Sequence, residues 1–173
     1  MCDIKVEQSP GDLNQYHLYT LENGIQVLLI QDNNAKEIGE VNRDIAMAYC
    51  SLVMNAGSFN NPKHRGGLAH FLEHMIFMGS EKYPDPNGLS EHIGTNGGYS
   101  NAYTEFEWTT FNFNVTYSGL ETTLDYLASA FDKPLFDPTV VNREITAVEN
   151  EFQMMVQDDS TRMIQIAMEN TYH

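Results

Sequence analysis

Residues 45–55, Ile-Ala-Met-Ala-Tyr-Cys-Ser-Leu-Val-Met-Asn, form a nearly continuous apolar run between a polar stretch at 31–44 and a segment rich in Gly, Asn and Pro at 57–67. A short apolar run bounded by loop signals predicts a central strand buried on both faces, and a sheet must then be built around it. Two β-rich runs precede it, 16–21 and 25–31, joined by Glu22-Asn23-Gly24, where Asn-Gly marks a tight hairpin. After it, 68–78 reads as a helix, 79–88 as a turn-rich loop and 89–93 as a short helix. Segment 95–98 is Gly-rich, and 99–117 alternates with strand period two towards Phe111-Asn112-Phe113-Asn114-Val115. Ser118-x-x-Glu121 fits a capping box opening a helix that carries Leu124, Leu127 and Phe131 and ends at Pro134. Asp137-Pro138 then supplies an N-cap residue and a first-turn proline to a long helix reaching about Gln157, which resumes after Asp158-Asp159-Ser160. Strands, a helix, strands and two helices give an α+β fold with a mainly antiparallel sheet packed with helices.

Composition narrows the function classes. The 173 residues carry 9 Lys and Arg against 24 Asp and Glu, a formal net charge of −15, and 42% are apolar. This is a globular composition of one domain, residues 1–173, long enough for a real core. Its acidity argues against nucleic acid as a partner, since neutralising phosphates needs Lys and Arg, and against anionic membranes. The longest purely apolar runs, such as 27–30, are far too short for membrane insertion. Segment 1–15 has neither a basic n-region nor an apolar h-region, and it is acidic rather than Arg-rich. Two cysteines, Cys2 and Cys50, make no disulfide framework. These features point to a cytoplasmic protein.

One pentapeptide carries chemistry. His70-Phe71-Leu72-Glu73-His74 is His-x-x-Glu-His, and at 100° per residue its three polar side chains share an arc of about 100°. Leu68, Phe71, Leu72, Met75 and Ile76 fall on the opposite side as an apolar back for the core. Histidines at i and i+4 can reach one metal ion; the alternative is a solvated surface pair. On the long helix, Val141, Ile145, Val148, Phe152, Met155 and Val156 form the expected buried stripe, with Glu144 and Glu151 along one edge. A carboxylate edging into a buried face needs a partner. For Glu151 that partner is a metal ion, an Arg or solvent, and geometry alone does not choose.

The run from Gly66-Gly67-Leu68-Ala69-His70 to Phe77-Met78-Gly79-Ser80 resembles the zinc motif of the inverzincin peptidases of family M16, the insulysin, nardilysin and pitrilysin group. In that family the third ligand is a Glu separated from the motif's second His by 76 intervening residues, and here that position is Glu151. Arg143-Glu144-Ile145 to Glu149-Asn150-Glu151 is similar to the family's segment, with Glu144 matching its supporting Glu. Leu21-Glu22-Asn23-Gly24 resembles its first hairpin, and Ala56-Gly57-Ser58 with Asn61-Pro62 resembles the loop before the zinc helix. Lys82-Tyr83-Pro84, Gly97-Gly98 and Asn101-Ala102-Tyr103-Thr104 resemble the segment holding the active-site edge strand. The resemblance covers almost the whole chain and lies nearest the insulysin and nardilysin branch.

The resemblance implies a zinc metalloendopeptidase acting on peptides and small unfolded proteins. His70, His74 and Glu151 would bind Zn²⁺, leaving a fourth position for water whose pKa falls towards ~7. Glu73 would be the general base, and Glu144 would orient or balance the site. Asn101 and Ala102 would hold substrate backbone as an added strand, with Tyr103 lining a side-chain pocket or serving as an ordinary sheet aromatic. Phe77 is assigned to the core; His17, His64, His92 and His173 match no ligand position and are expected in solvent. Asn114-Val115-Thr116 is a glycosylation triplet in form only. The family's chains are much longer, so this one is expected to be an incomplete N-terminal M16 domain, lacking the half that supplies an Arg and a Tyr to the oxyanion. It would need that half or a second M16 chain. The alternative function is a non-catalytic zinc- and peptide-binding subunit or a truncated remnant.

Overall fold

The computed structural model describes residues 7–32 and 45–171; most of the polar loop expected at 31–44, Cys2 and His173 lie outside them. The described residues fall into two units, one within Met1–Arg43 and one within Asp44–His173.

The first unit is the expected hairpin. Strands β1 (Gln15–Thr20) and β2 (Gln26–Gln31) pair antiparallel, with Tyr16 opposite Ile30 and Leu18 opposite Leu28. The turn closes through Gly24 N–H to the Leu21 carbonyl at 2.9 Å and Leu21 N–H to the Ile25 carbonyl at 2.8 Å. Gly24 takes φ +88°, a left-handed conformation open to glycine at little cost.

The second unit holds a three-stranded antiparallel sheet and five helices. Strands β3 (Met47–Met54), β4 (Tyr99–Thr104) and β5 (Thr109–Thr116) lie in the order β3-β5-β4. The helices are α1 (Leu68–Ile76), α2 (Gly88–Thr95), α3 (Leu120–Asp132), α4 (Pro138–Met155) and α5 (Asp159–Thr171). The core joins Leu89 and Ile93 of α2, Phe113 and Val115 of β5 and Leu127 of α3; a second cluster joins Ile76, Phe111 and Ala130. Phe77 packs half-buried against both. Burying each large apolar side chain contributes about 1.5–3 kcal/mol. Gly98 precedes β4 where the chains nearly touch: a Cβ there would stand 2.0 Å from the Asn114 carbonyl oxygen. Burial pushes the thiol of Cys50, on β3, above its ordinary pKa.

The centre of the sheet is β5 rather than the expected 45–55 segment. Among the described residues β3 pairs only with β5, and its side chains alternate between half-buried and exposed, with Tyr49 65% exposed. The more polar sequence of β5 is central because its Asn and Thr side chains find partners there. Asn114, of the formal glycosylation triplet, accepts the Tyr99 N–H at 2.8 Å. The expected capping box at Ser118 is absent. A 3₁₀ turn, Tyr117–Gly119, leads into α3 with Gly119 at the N-cap, and the Ser118 hydroxyl meets Thr116 Oγ1 instead. The apolar back of α1 is narrower than expected: Met75 and Ile76 are buried, whereas Leu68 and Leu72 are exposed. The α4 stripe is likewise displaced, with Ile145, Phe152, Met155 and Val156 exposed and Glu144 the buried residue. Arithmetic on one helix ranks faces by polarity; here the packed faces carry the chemistry. His92 is not solvated either: it stacks on Tyr126 and meets the Gly119 carbonyl at 3.3 Å.

Candidate metal centre

Helix α1 is set by the loop before it. Gly67 takes φ +81° at its N-cap, and the Asn61 side-chain oxygen accepts the Ala69 N–H at 2.8 Å. With Met75 and Ile76 anchored in the core, His70 and His74 emerge one turn apart, their rings edge to face at 4.9 Å between centroids. Helix α4 is started by Asp137, whose carboxylate accepts the N–H groups of Thr139 and Val140 at 2.8 and 3.3 Å, with Pro138 in the first turn. Glu144 and Glu151, seven residues apart, share one face of this helix after two turns. That face packs on α1.

The packing brings Glu151 Oε2 to 3.4 Å from His70 Nε2 and 3.7 Å from His74 Nε2. One ligand atom from each residue lies within 4.8 Å of the other two, and His70, His74 and Glu151 are all half-buried. Ligands about 2.0–2.2 Å from a tetrahedral ion stand roughly 3.4 Å apart, so these separations fit a small divalent cation of the zinc type. Behind the set, His74 Nδ1 lies 3.2 Å from Glu144 Oε2. An ionised carboxylate only accepts, so the contact with Glu144 favours Nδ1–H on His74, and in the neutral ring that tautomer leaves Nε2 as the atom offered beside Glu151. Glu144 is 6% exposed and also accepts from Arg143 Nε at 3.0 Å. Two carboxylates and two imidazoles converging at one helix crossing are a donor set that fits a doubly charged ion.

Glu73 is 7% exposed and accepts a hydrogen bond from Thr104 Oγ1 at 2.5 Å. Thr104 ends β4, an edge strand whose outer side pairs with no strand among the described residues. Along β4, Ala102 and Thr104 are half-buried, while Asn101 and Tyr103 are exposed on the other face. Ala102 packs on the smaller core cluster. The structure thus gathers His70, His74, Glu151 and Glu144 at one crossing and sets Glu73 against the end of β4. The sequence reading assigned no role to Thr104 or Arg143. Strand alternation places Thr104 on the face of Ala102, which was a usable signal. For Arg143 there was none, because adjacent helical residues diverge by 100°.

The family model for the insulinases, peptidase family M16, matches residues 40–173. The human insulin-degrading enzyme is 37% identical over 161 residues, covering 93% of this chain and 15% of its own length. The A-factor-processing enzyme of Saccharomyces cerevisiae is 39% identical over 164 residues, 94% of this chain and 15% of that protein. The crystal structure of pitrilysin superposes with a TM-score of 0.86 at 35% identity, covering 99% of this chain and 18% of its own. The chain therefore spans about one sixth of the length of the relatives it matches. Among the described residues no helix is long and apolar enough to cross a membrane.

Proposed function

The chain belongs to the insulinase family of peptidases, M16, and from that premise we propose that His70, His74 and Glu151 hold Zn²⁺ and that Glu73 is the general base for peptide-bond hydrolysis. The observation that carries this reading is the convergence of two imidazoles of α1 and one carboxylate of α4, from positions far apart in sequence, to within 4.8 Å. When bound, zinc polarises the substrate carbonyl and makes water acidic enough to deprotonate near neutrality. The residues of the chain do the rest. Thr104 occupies Oε2 of Glu73, leaving Oε1 to take the proton from water and hand it to the departing amide nitrogen. Glu144 holds His74 in the tautomer that presents Nε2.

The substrate is a peptide that adds as a strand to the free edge of β4. Backbone groups of Asn101 and Ala102 hold it with little demand on sequence, and Tyr103 contacts a side chain. In this reading the chain acts as the metal-carrying N-terminal part of an M16 domain. Groups that stabilise the oxyanion come from a further segment or a second M16 chain.

The test combines zinc analysis with cleavage of a quenched peptide. Expected are about one zinc per chain, loss of zinc in His70→Ala, and retained zinc without cleavage in Glu73→Gln. A purified chain that takes up no zinc sinks the site. Zinc binding without cleavage, even with the complementary half supplied, removes the hydrolase assignment and leaves a peptide-binding role.

A further inference from the structure

We infer that Arg143 is a positioning residue for the metal centre, acting through Glu144 on His74; the inference rests on reading His70, His74 and Glu151 as a zinc site. Side chains of adjacent helical residues normally point apart. Arg143 nevertheless turns back along α4 so that its Nε donates to Glu144 Oε1 at 3.0 Å. Its Nη2 donates to Met78 Sδ, just beyond the end of α1, at 3.2 Å. The guanidinium therefore ties α4 to the chain leaving α1, and its fork fixes the direction from which Glu144 is held. The other oxygen of Glu144 receives the Nδ1–H of His74 at 3.2 Å. One hydrogen-bonded line thus runs from Met78 through Arg143 and Glu144 to the imidazole whose Nε2 faces Glu151.

The electrostatics agree. Glu144 is buried, and a buried carboxylate is retained only with compensating donors. Among the described residues no other Lys or Arg forms an ion pair with a carboxylate of the site: Lys82, Lys133 and Arg162 pair with Asp125, Glu81 and Asp159. Without Arg143, Glu144 is free to turn to solvent and His74 to change tautomer, which withdraws Nε2 as a ligand. Arg143 itself is half exposed, so its replacement leaves the core intact.

The experiment is a zinc-affinity measurement by competition with a chromogenic chelator on wild type, Arg143→Gln, Glu144→Gln and the double variant. Outer partners of metal ligands typically contribute 10–100-fold in affinity, so a loss of about tenfold is expected for Arg143→Gln. The same substitution should add less than about twofold in the Glu144→Gln background, because its target is gone. Arg143→Lys keeps one donor without the fork and should fall between wild type and Gln. Unchanged affinity in Arg143→Gln, or an equal loss in both backgrounds, overturns the proposal. A wild-type chain that binds no zinc instead removes the site, and the role of Arg143 with it.

Discussion

Glu73 lies between two histidines in sequence but faces the sheet in space. Its bond from Thr104 is part-buried and ends on a carboxylate, and hydrogen bonds to charged groups are worth about 1.5–3 kcal/mol. Thr104→Val keeps the shape and removes the donor, so urea unfolding of the zinc-free chain should show a loss of that size, with Thr104→Ser restoring it. A loss below about 0.5 kcal/mol would mean that Glu73 is held by other groups. At this scale the sequence was legible where chemistry is local. The i, i+4 spacing puts two histidines on one face within reach of a single ion, with a solvated surface pair as the alternative that helical geometry alone leaves open. Glu151 was not readable that way: on its own helix it was one acidic edge residue among several, and only the resemblance singled it out. Strand alternation puts Thr104 on the face of Ala102 but does not name Glu73, on another element, as its partner; Arg143 bonds its own neighbour Glu144, which helical spacing sets 100° away.

Elements were legible where their ends carry their own instructions. Asp137-Pro138 caps α4 as the sequence required, because the carboxylate answers backbone donors only two and three residues away. The Thr139 hydroxyl, then the Thr139 and Val140 N–H groups, hold the Asp137 carboxyl below its ordinary pKa. A depressed folded-state value stabilises the fold above the unfolded pKa of about 3.9 and is lost as pH falls through the folded one. Asp137→Ala should therefore lower the thermal midpoint at pH 7, and the gap from wild type should close on acidification below about pH 4. A gap that persists at pH 2 would show that the cap works by geometry rather than charge. Ser118 failed as a cap because a 3₁₀ turn intervened, and 45–55 failed as the central strand because strand order depends on partners rather than on hydrophobicity. The exposed Ile145 and Phe152 have the same origin: α4 turns its carboxylates towards α1.

For the molecule as a whole, a metal bound only by the folded form adds to its stability by mass action, about 2.7 kcal/mol at one hundred times Kd. Zinc should raise the urea midpoint of the wild-type chain. His74→Ala should abolish the shift, and Asp158→Ala, whose carboxylate is taken up by Ser160 and Thr161, should leave it intact. Equal stabilisation of all three would assign the effect to scattered surface carboxylates, of which a chain with 24 Asp and Glu has many.

On the proposed zinc reading, the separation of His74 and Glu151 also has a meaning in time. On a ribosome adding about 5–20 residues each second, the 77 positions from His74 to Glu151 take roughly 4–15 s to synthesise. Through that interval α1 presents two imidazoles with no third ligand, and the nascent chain holds any captured ion weakly. Firm capture, if the three residues hold zinc as proposed, would wait for α4 to emerge and dock, so the site would close late in the birth of this segment and record that the two helices have found each other.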